Sequence, residues 1–338
     1  MKKRYLMAGL TGVVAGVVAT KLLTRPRDVN WSESIDLIPH PEHSWFTRVG
    51  GVRIHYQEAG DENAPAIILI HGFISSTLIW SEVFLPLAAA GFRVIALDLP
   101  GYGYSEKPPD ARYTIDSQAY AVVGLMNRLG IDEATIVGAS YGGAVAATIA
   151  LDYPERVSRL VLVGAVINDV PMQSLMPRIG RLPLVGDIVT PLFLGSRWVL
   201  RERMKKMSRR SGKTLDEHKF AARHHLLATA NTHRAMLRTM RRWHANRIAN
   251  EAHLIRQPAL ILWGEADEHI SLSDGMRLRE AIARSRLIVF RNSGHLPPVE
   301  QPENFVKVVT DFCGAAKLAA EETNSVKSIK TRQQISQG

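Results

Sequence analysis

The chain is poor in cysteine, with one such residue, Cys313, among 338. A single cysteine excludes an intramolecular disulfide, so the fold has to be stabilised by packing alone. Cys313 lies in the apolar helical pattern FVKVVTDFC, which favours a place in the core. Charged residues make up 22% of the chain and hydrophobic residues 46%. This balance excludes a disordered chain and is sufficient for a large buried core.

Signatures of nucleic-acid binding are also missing, although the formal net charge is +10. The sequence has no zinc-finger spacing, no RNP pattern and no basic zipper, so we expect no nucleic-acid partner. The positive charge is concentrated at residues 170–250, which contain 17 Lys and Arg against 4 Asp and Glu. This region predicts contact with an anionic membrane surface or an acidic substrate. A solvated basic helix face is the alternative.

At the amino terminus, an uncharged apolar run, Tyr5–Thr20, follows the basic residues 2–4. This pattern predicts a single-pass anchor over residues 1–27 and therefore a membrane-associated protein. A cleaved signal peptide, which would leave a secreted or periplasmic protein, is the alternative. Residues 28–45 are polar and contain proline, which is typical of a linker. The polar tail, residues 314–338, is expected to be disordered.

From residue 46 onward, short apolar runs alternate with helical patterns. Such runs are expected of strands buried on both faces, and their alternation with helices predicts a mostly parallel, doubly wound α/β sheet. The predicted strands are Val52–Gln57, Ala66–Ile70, Arg93–Leu97, Thr135–Gly138, Leu160–Val163, Ala259–Trp263 and Leu287–Phe290. Residues 168–250 contain no convincing strand pattern. We interpret them as a helical cap inserted into a core of residues 46–167 and 251–313.

The candidate nucleophile is Ser140, in the sequence Gly138-Ala139-Ser140-Tyr141-Gly142. This G-x-S-x-G pattern follows a predicted buried strand and opens a helix of small residues. A sharp strand-to-helix turn exposes the serine side chain, and its crowded backbone accepts only small residues two positions away. The helix amino terminus favours negative charge that develops at the site. The alternative is a serine that only caps the helix.

A serine nucleophile needs a base and a group that orients the base. His295 lies in the loop after the last predicted strand, and Asp267 follows the strand before it. The order Ser140, Asp267, His295 is the one expected for this arrangement. Asp267 as a turn residue is the alternative, with Asp169 as the reserve acid.

An oxyanion hole requires two backbone N–H groups that point at the developing charge. Tyr141, immediately after the nucleophile, is expected to supply one of them. The loop His71-Gly72-Phe73 follows a predicted strand, so Phe73 is the expected second donor. His71 is expected to brace this loop rather than to act as a second base.

With these residues the sequence resembles the α/β-hydrolase superfamily. The matching motifs are HGF at 71–73, DLPGYGYS at 98–105, GASYGG at 138–143, WGEAD at 263–267 and SGHLPPVEQP at 293–302. The resemblance implies the α/β-hydrolase fold with a helical cap. It extends to a branch that contains epoxide hydrolases, dehalogenases, C–C bond hydrolases, lipases and esterases. Ser140 stands where the first two use aspartate, which argues against both.

The expected activity is ester hydrolysis of the carboxylesterase or lipase type through an acyl-enzyme on Ser140, without a metal or organic cofactor. The expected substrate is a small-molecule ester that resembles a lipid, such as an acylglycerol. Hydrolysis of a C–C bond by the same three residues, as in meta-cleavage hydrolases, is the alternative. A binding protein without activity is the non-enzyme alternative. The oligomeric state stays open.

Overall fold

The computed structural model describes residues 30–169, 175–210, 212 and 214–314. Eight strands form one sheet in the order β1-β2-β4-β3-β5-β6-β7-β8. The strands are β1 Ser44–Val49, β2 Val52–Ala59, β3 Ala66–Ile70, β4 Arg93–Leu97, β5 Ala134–Ala139, β6 Val157–Val163, β7 Ala259–Gly264 and β8 Ser285–Phe290. Only β1 with β2 and β2 with β4 pair antiparallel, and the other neighbours are parallel. The predicted α/β-hydrolase fold with a mostly parallel sheet is confirmed.

The central strands are buried because helices cover both faces of the sheet. Every residue of β5 and β7 is buried, which explains their continuous apolar sequences. Cys313 is buried as well, beside Thr135 of β5. The carboxyl ends of the parallel strands meet at one edge of the sheet, where ligands bind in open α/β sheets.

Helices connect the strands and fill the interval between β6 and β7. They are α1 Trp31–Ser34, α2 Phe84–Ala89, α3 Ile115–Arg128, α4 Tyr141–Asp152, α5 Leu175–Arg181, α6 Val185–Leu194, α7 Arg197–Arg210, α8 Glu217–Leu227, α9 Ala230–Arg241, α10 Asn246–Glu251, α11 Leu272–Ala281, α12 Pro297–Glu300 and α13, residues 302–314. Helices α5 to α10 lie in the segment predicted as the cap. The exact limits of a cap domain stay a prediction.

Aromatic side chains join this segment to the sheet. The ring of Trp243 lies 5.1 Å from that of Tyr141 and 5.8 Å from that of Phe73, measured between centroids. The hydroxyl group of Tyr102 donates a 3.0 Å hydrogen bond to Thr239 Oγ1 on α9. The segment therefore covers the loops that carry the predicted nucleophile and oxyanion donors.

Of the predicted linker, residues 28–45, the structure describes residues 30–45, and much of this stretch forms secondary structure. Strand β1 begins at Ser44, and Trp31 on α1 packs its ring 5.0 Å from Phe46 and 5.3 Å from Tyr104. Strand β1 lies at the sheet edge, is only partly buried, and has the mixed sequence SWFTRV without a continuous apolar run. The polar composition of this stretch therefore led to the prediction of a linker where the chain is folded.

The predicted membrane localisation is corrected. In the part of the chain that the structure describes, no helix is long and apolar enough to cross a bilayer. The run on which the anchor was predicted, within residues 1–27, lies outside the described residues, as does most of the tail at 314–338. The expected membrane-surface partner is not confirmed.

Candidate active site

Ser140 occupies a strained turn between β5 and α4, with φ 55° and ψ −116°. Its side chain makes no capping hydrogen bond to the helix, which removes the alternative of a simple helix cap. Glycine is required on both sides of the turn. A Cβ atom at Gly138 would lie 2.2 Å from the oxygen of Gly142, and one at Gly142 would lie 2.3 Å from the oxygen of Ile70. The fold thus holds Ser140 in the sharp strand-to-helix turn that is typical of a nucleophile elbow.

His295 and Asp267 are hydrogen-bonded, with 2.7 Å between His295 Nδ1 and Asp267 Oδ2. The other carboxylate oxygen of Asp267 accepts hydrogen bonds from the backbone N–H groups of His269 and Ile270. Burial alone would raise the pKa of Asp267, but His295 and the two N–H groups hold that pKa below its usual value. Asp267 is therefore an ionised group that can orient the imidazole.

The reserve acid, Asp169, is placed elsewhere. Its carboxylate accepts hydrogen bonds from the N–H of Ala245 at 2.7 Å and from Asn246 Nδ2 at 2.9 Å. These bonds fix the start of α10. Asp169 does not line the cavity that contains Ser140 and His295.

The two predicted oxyanion donors lie on either side of Ser140. Tyr141 is the first residue of α4, and Phe73 follows Gly72, where an added Cβ atom would come within 3.0 Å of Ser140 Cβ. Within the described residues, neither the Phe73 nor the Tyr141 N–H donates a backbone hydrogen bond. Both are therefore available to a ligand.

His71 fixes the peptide that carries one of these donors. The distance from His71 Nδ1 to the oxygen of Gly72 is 2.8 Å, and the N–H of Leu99 donates to His71 Nε2 at 3.1 Å. Because Nε2 accepts, Nδ1 carries the proton and donates to Gly72. Burial lowers the pKa of His71, which keeps the ring neutral. The C=O and N–H of a trans peptide point in opposite directions, so this bond also orients the Phe73 N–H.

One cavity of about 990 Å³ contains Ser140 and His295. Much of its lining is apolar and comes from the core and from helices α5 to α9, including Ile79, Val166, Val199, Leu200, Met204, Leu227, Met240 and Trp243. Charged and polar side chains also line it, among them Arg203, Arg223, His269 and Arg277. The volume is ample for a small-molecule substrate.

Arg203 and Arg223 both place positive charge on the cavity lining. Burial, and then the charge of Arg203, lower the pKa of Arg223 to about 10. Arg203 is exposed, and partial desolvation lowers the pKa of its guanidinium as well. Both guanidinium groups remain charged at neutral pH. His269, whose ring centroid lies 5.1 Å from that of His295, has its pKa lowered to about 4 by burial, by His295 and by Arg203.

Comparison with known proteins agrees with this geometry. A family model described as "alpha/beta hydrolase fold" matches residues 65–302. The chain belongs to the α/β-hydrolase fold family. It is 30% identical over 278 residues to the 2-hydroxymuconate semialdehyde hydrolase of Pseudomonas sp. strain CF600, covering 80% of this chain and 93% of that protein.

Solved structures of two other α/β hydrolases are similar to this one. A meta-cleavage product hydrolase, determined as a single-residue variant, has a TM-score of 0.66 and 26% identity, with 81% of this chain and 99% of that chain covered. A membrane phospholipase A has a TM-score of 0.71 and 25% identity, with 94% and 99% covered. The chain is thus a hydrolase.

Three residues of the site were not identified from the sequence. Glu300 lies within the motif SGHLPPVEQP, and its position five residues after His295 was the available signal. Arg203 and Arg223 were recognised only as part of a basic region, because a charge count does not tell which side of a helix faces a cavity. In the described ranges, no group of three or more His, Cys, Asp and Glu is placed to hold a metal ion. The expectation that no cofactor is needed stays a prediction.

Proposed function

We propose that this α/β hydrolase cleaves a C–C bond beside a ketone or aldehyde carbonyl in a small substrate that carries a carboxylate. The observation that carries the proposal is Arg223, a half-buried cation in the same cavity as Ser140 that forms no ion pair with any residue the structure describes. A cation removed from water is costly unless a negative group compensates it. A substrate carboxylate supplies that group, whereas a neutral acylglycerol does not.

The similarities support the same reaction. The Pseudomonas relative is named for the hydrolysis of 2-hydroxymuconate semialdehyde, and one similar structure is that of a meta-cleavage product hydrolase. Substrates of this kind are conjugated ketones or aldehydes with a carboxylate at the opposite end. Ester hydrolysis, the activity that the sequence predicts, is therefore the second candidate.

In the proposed reaction, the proton of the 2-hydroxyl group moves to C5, which gives a ketone at C2, a double bond between C3 and C4, and a saturated carbon at C5. Ser140 Oγ then adds to the C6 carbonyl while His295 takes the serine proton. The N–H groups of Phe73 and Tyr141 stabilise the resulting oxyanion. Asp267 keeps the imidazole of His295 in the required tautomer.

Collapse of this intermediate breaks the C5–C6 bond. The electron pair goes to C5 and is delocalised through the C3–C4 double bond onto the C2 oxygen, and His295 returns its proton to the leaving dienolate. Water, deprotonated by His295, then releases the acyl group from Ser140 as a carboxylic acid.

The test is turnover of 2-hydroxymuconate semialdehyde, followed by loss of the absorbance of its conjugated system. We expect turnover by the wild type and none by Ser140→Ala, with the folded state of the variant checked by circular dichroism. The proposal fails if the semialdehyde is stable while neutral esters are hydrolysed. Absence of fluorophosphonate labelling at Ser140 would instead favour a binding protein without activity.

Hydrolysis of a lipid-like ester has its own support. Much of the cavity lining is apolar, and the volume of about 990 Å³ accepts an acyl chain. One similar structure is a phospholipase A. Monoacylglycerols graded by chain length distinguish the two candidates. Arg223→Gln is expected to impair cleavage of the anionic semialdehyde, whereas hydrolysis of a neutral monoacylglycerol has no need of this charge.

A further inference from the structure

We infer that residues 30–38 form a strap that holds helix α8 in place and thereby sets the position of Arg223. This inference deepens the proposed function, and it rests on that function for the role of Arg223 as the group that binds a carboxylate. It makes Ser34 and its partner His225 positioning residues, although neither is among the described residues that line the cavity around Ser140.

Two hydrogen bonds join the strap to α8. His225 Nε2 lies 2.9 Å from Ser34 Oγ, and His218 Nε2 lies 2.7 Å from the backbone oxygen of Asp36. The Ser34 hydroxyl donates to the backbone oxygen of Asn30 at 2.6 Å, so it accepts the bond from His225. Ser34 is fully buried, and little water therefore competes for this bond.

An apolar cluster attaches the strap to the core at the same place. Ile38 of the strap, Tyr104 of the core and Leu226 of α8 are buried together. Trp31 packs against this cluster, with its ring centroid 5.3 Å from that of Tyr104 and 5.0 Å from that of Phe46. The strap therefore bridges the core and α8 rather than lying on one of them.

The strap and the cavity lie on opposite sides of α8. A helix turns by about 100° per residue, so His218 and His225, seven residues apart, share one side. Arg223 and Leu227, four residues apart, share another side and line the cavity. Arg223 precedes His225 by two residues and lies about 160° around the helix from it. A displacement of α8 at the strap is therefore transmitted to Arg223 by the helix itself.

An ion pair also ties this part of α8 to the core, but it is weaker. Lys219 pairs with Glu82, and these side chains are 39% and 36% exposed. Exposed ion pairs contribute little, because water and salt screen them and because two long side chains have to be ordered. The buried bond of Ser34 and the apolar cluster around Leu226 therefore supply the stronger tie on this side of the helix.

Protection of Ser140 by two matched ligands tests the inference. The purified full-length chain is labelled at Ser140 with a fluorophosphonate at pH 7.5, in the presence of increasing hexanoate or hexanamide. These ligands have equal chain length and differ in charge, so only hexanoate needs the charge of Arg223. In Ser34→Ala, we expect half-protection to require about fivefold more hexanoate than in the wild type, because Arg223 is correctly placed in a smaller fraction of the molecules. Protection by hexanamide is expected to stay the same.

Matched variants assign the effect to the strap. His225→Phe removes the other partner of the buried bond, and the double variant is expected to behave like either single variant, because both changes break one contact. Arg223→Gln is expected to weaken protection by hexanoate at least as much as Ser34→Ala. Ser32→Ala makes the same change at an exposed strap position and is expected to behave like the wild type. The labelling rate without ligand reports a folded site in each variant.

Two results would overturn the inference alone. One is unchanged protection by hexanoate in Ser34→Ala while Arg223→Gln weakens it. The other is an equal weakening for hexanamide, which would mean a general opening of the cavity.

Failure of the proposed function gives different results. Protection by hexanoate that is insensitive to Arg223→Gln would reject the carboxylate role of Arg223, and the inference with it. Labelling requires only a nucleophilic Ser140. Semialdehyde that resists turnover while Ser34→Ala and Arg223→Gln both weaken hexanoate would therefore reject the reaction and leave the strap assignment intact.

Discussion

The carboxylate of Glu300 holds the backbone on both sides of His295. Its two oxygens accept hydrogen bonds from the N–H groups of Gly294 at 2.7 Å and Leu296 at 3.1 Å. Glu300 is 5% exposed, so little water competes for these bonds. Asp267 fixes the His295 ring and Glu300 fixes its loop, which makes Glu300 a positioning residue.

Glu300→Gln is expected to damage the site through this loop. Glutamine has one acceptor oxygen, so one buried N–H loses its partner and meets an amide donor instead. We expect the free energy of unfolding to fall by about 2 kcal/mol, and kcat to fall by about tenfold with little change in KM. Urea unfolding and steady-state kinetics measure these effects. Glu303→Gln, at an exposed position three residues later, is the control. Equal kinetics in both variants would reject the positioning role.

His71→Phe tests the brace behind the oxyanion donor. Phenylalanine fills a similar volume but removes the hydrogen bonds to Gly72 and Leu99. A misaligned Phe73 N–H loses contact with the oxyanion, so kcat is expected to fall by about 10- to 100-fold. A loss of stability without a change in kcat would show that His71 serves the fold only.

The same residue predicts a pH dependence of stability. Burial lowers the pKa of folded His71, so below about pH 6.5 the unfolded chain takes up a proton that the folded chain does not. This contribution to stability is present at neutral pH and is lost as the pH falls through the lowered pKa. Urea unfolding at pH 7.5 and 5.5 measures this effect. Between these two pH values, the free energy of unfolding should decrease less for His71→Phe than for the wild type. Replacement of the exposed His253 is the control. A decrease for His71→Phe as large as that for the wild type would contradict the prediction.

Gly142→Ala tests the crowding at the nucleophile elbow. The added Cβ atom would lie 2.3 Å from the oxygen of Ile70 and 2.5 Å from that of His71. We expect a loss of about 3 kcal/mol in the free energy of unfolding. Gly130→Ala separates this clash from backbone strain, because Gly130 has φ +65° and open space around it. Its expected cost is about 1 kcal/mol. A harmless Gly142→Ala would contradict the geometry of the turn.

Much of this arrangement was predictable because its signals are local in sequence. The continuous apolar runs of β3 to β8 and the small residues around Ser140 indicated the sheet and the elbow before any coordinates. The edge strand β1 was not predictable, because its sequence SWFTRV lacks a continuous apolar run like the LIVF of the other edge strand, β8. Arg203 and Arg223 line one cavity because of the way α7 and α8 pack. A charge pattern alone does not determine that packing.

The central claim is that Ser140 cleaves a carboxylate-bearing substrate whose charge Arg223 compensates. The most direct measurement is kcat/KM for 2-hydroxymuconate semialdehyde and for a neutral monoacylglycerol, in the wild type, Ser140→Ala and Arg223→Gln. The account predicts that Ser140→Ala abolishes cleavage of the semialdehyde. It also predicts that Arg223→Gln lowers kcat/KM for the semialdehyde by about 100-fold and leaves any monoacylglycerol hydrolysis nearly unchanged. Turnover of the monoacylglycerol alone, or equal losses on both substrates, would contradict it.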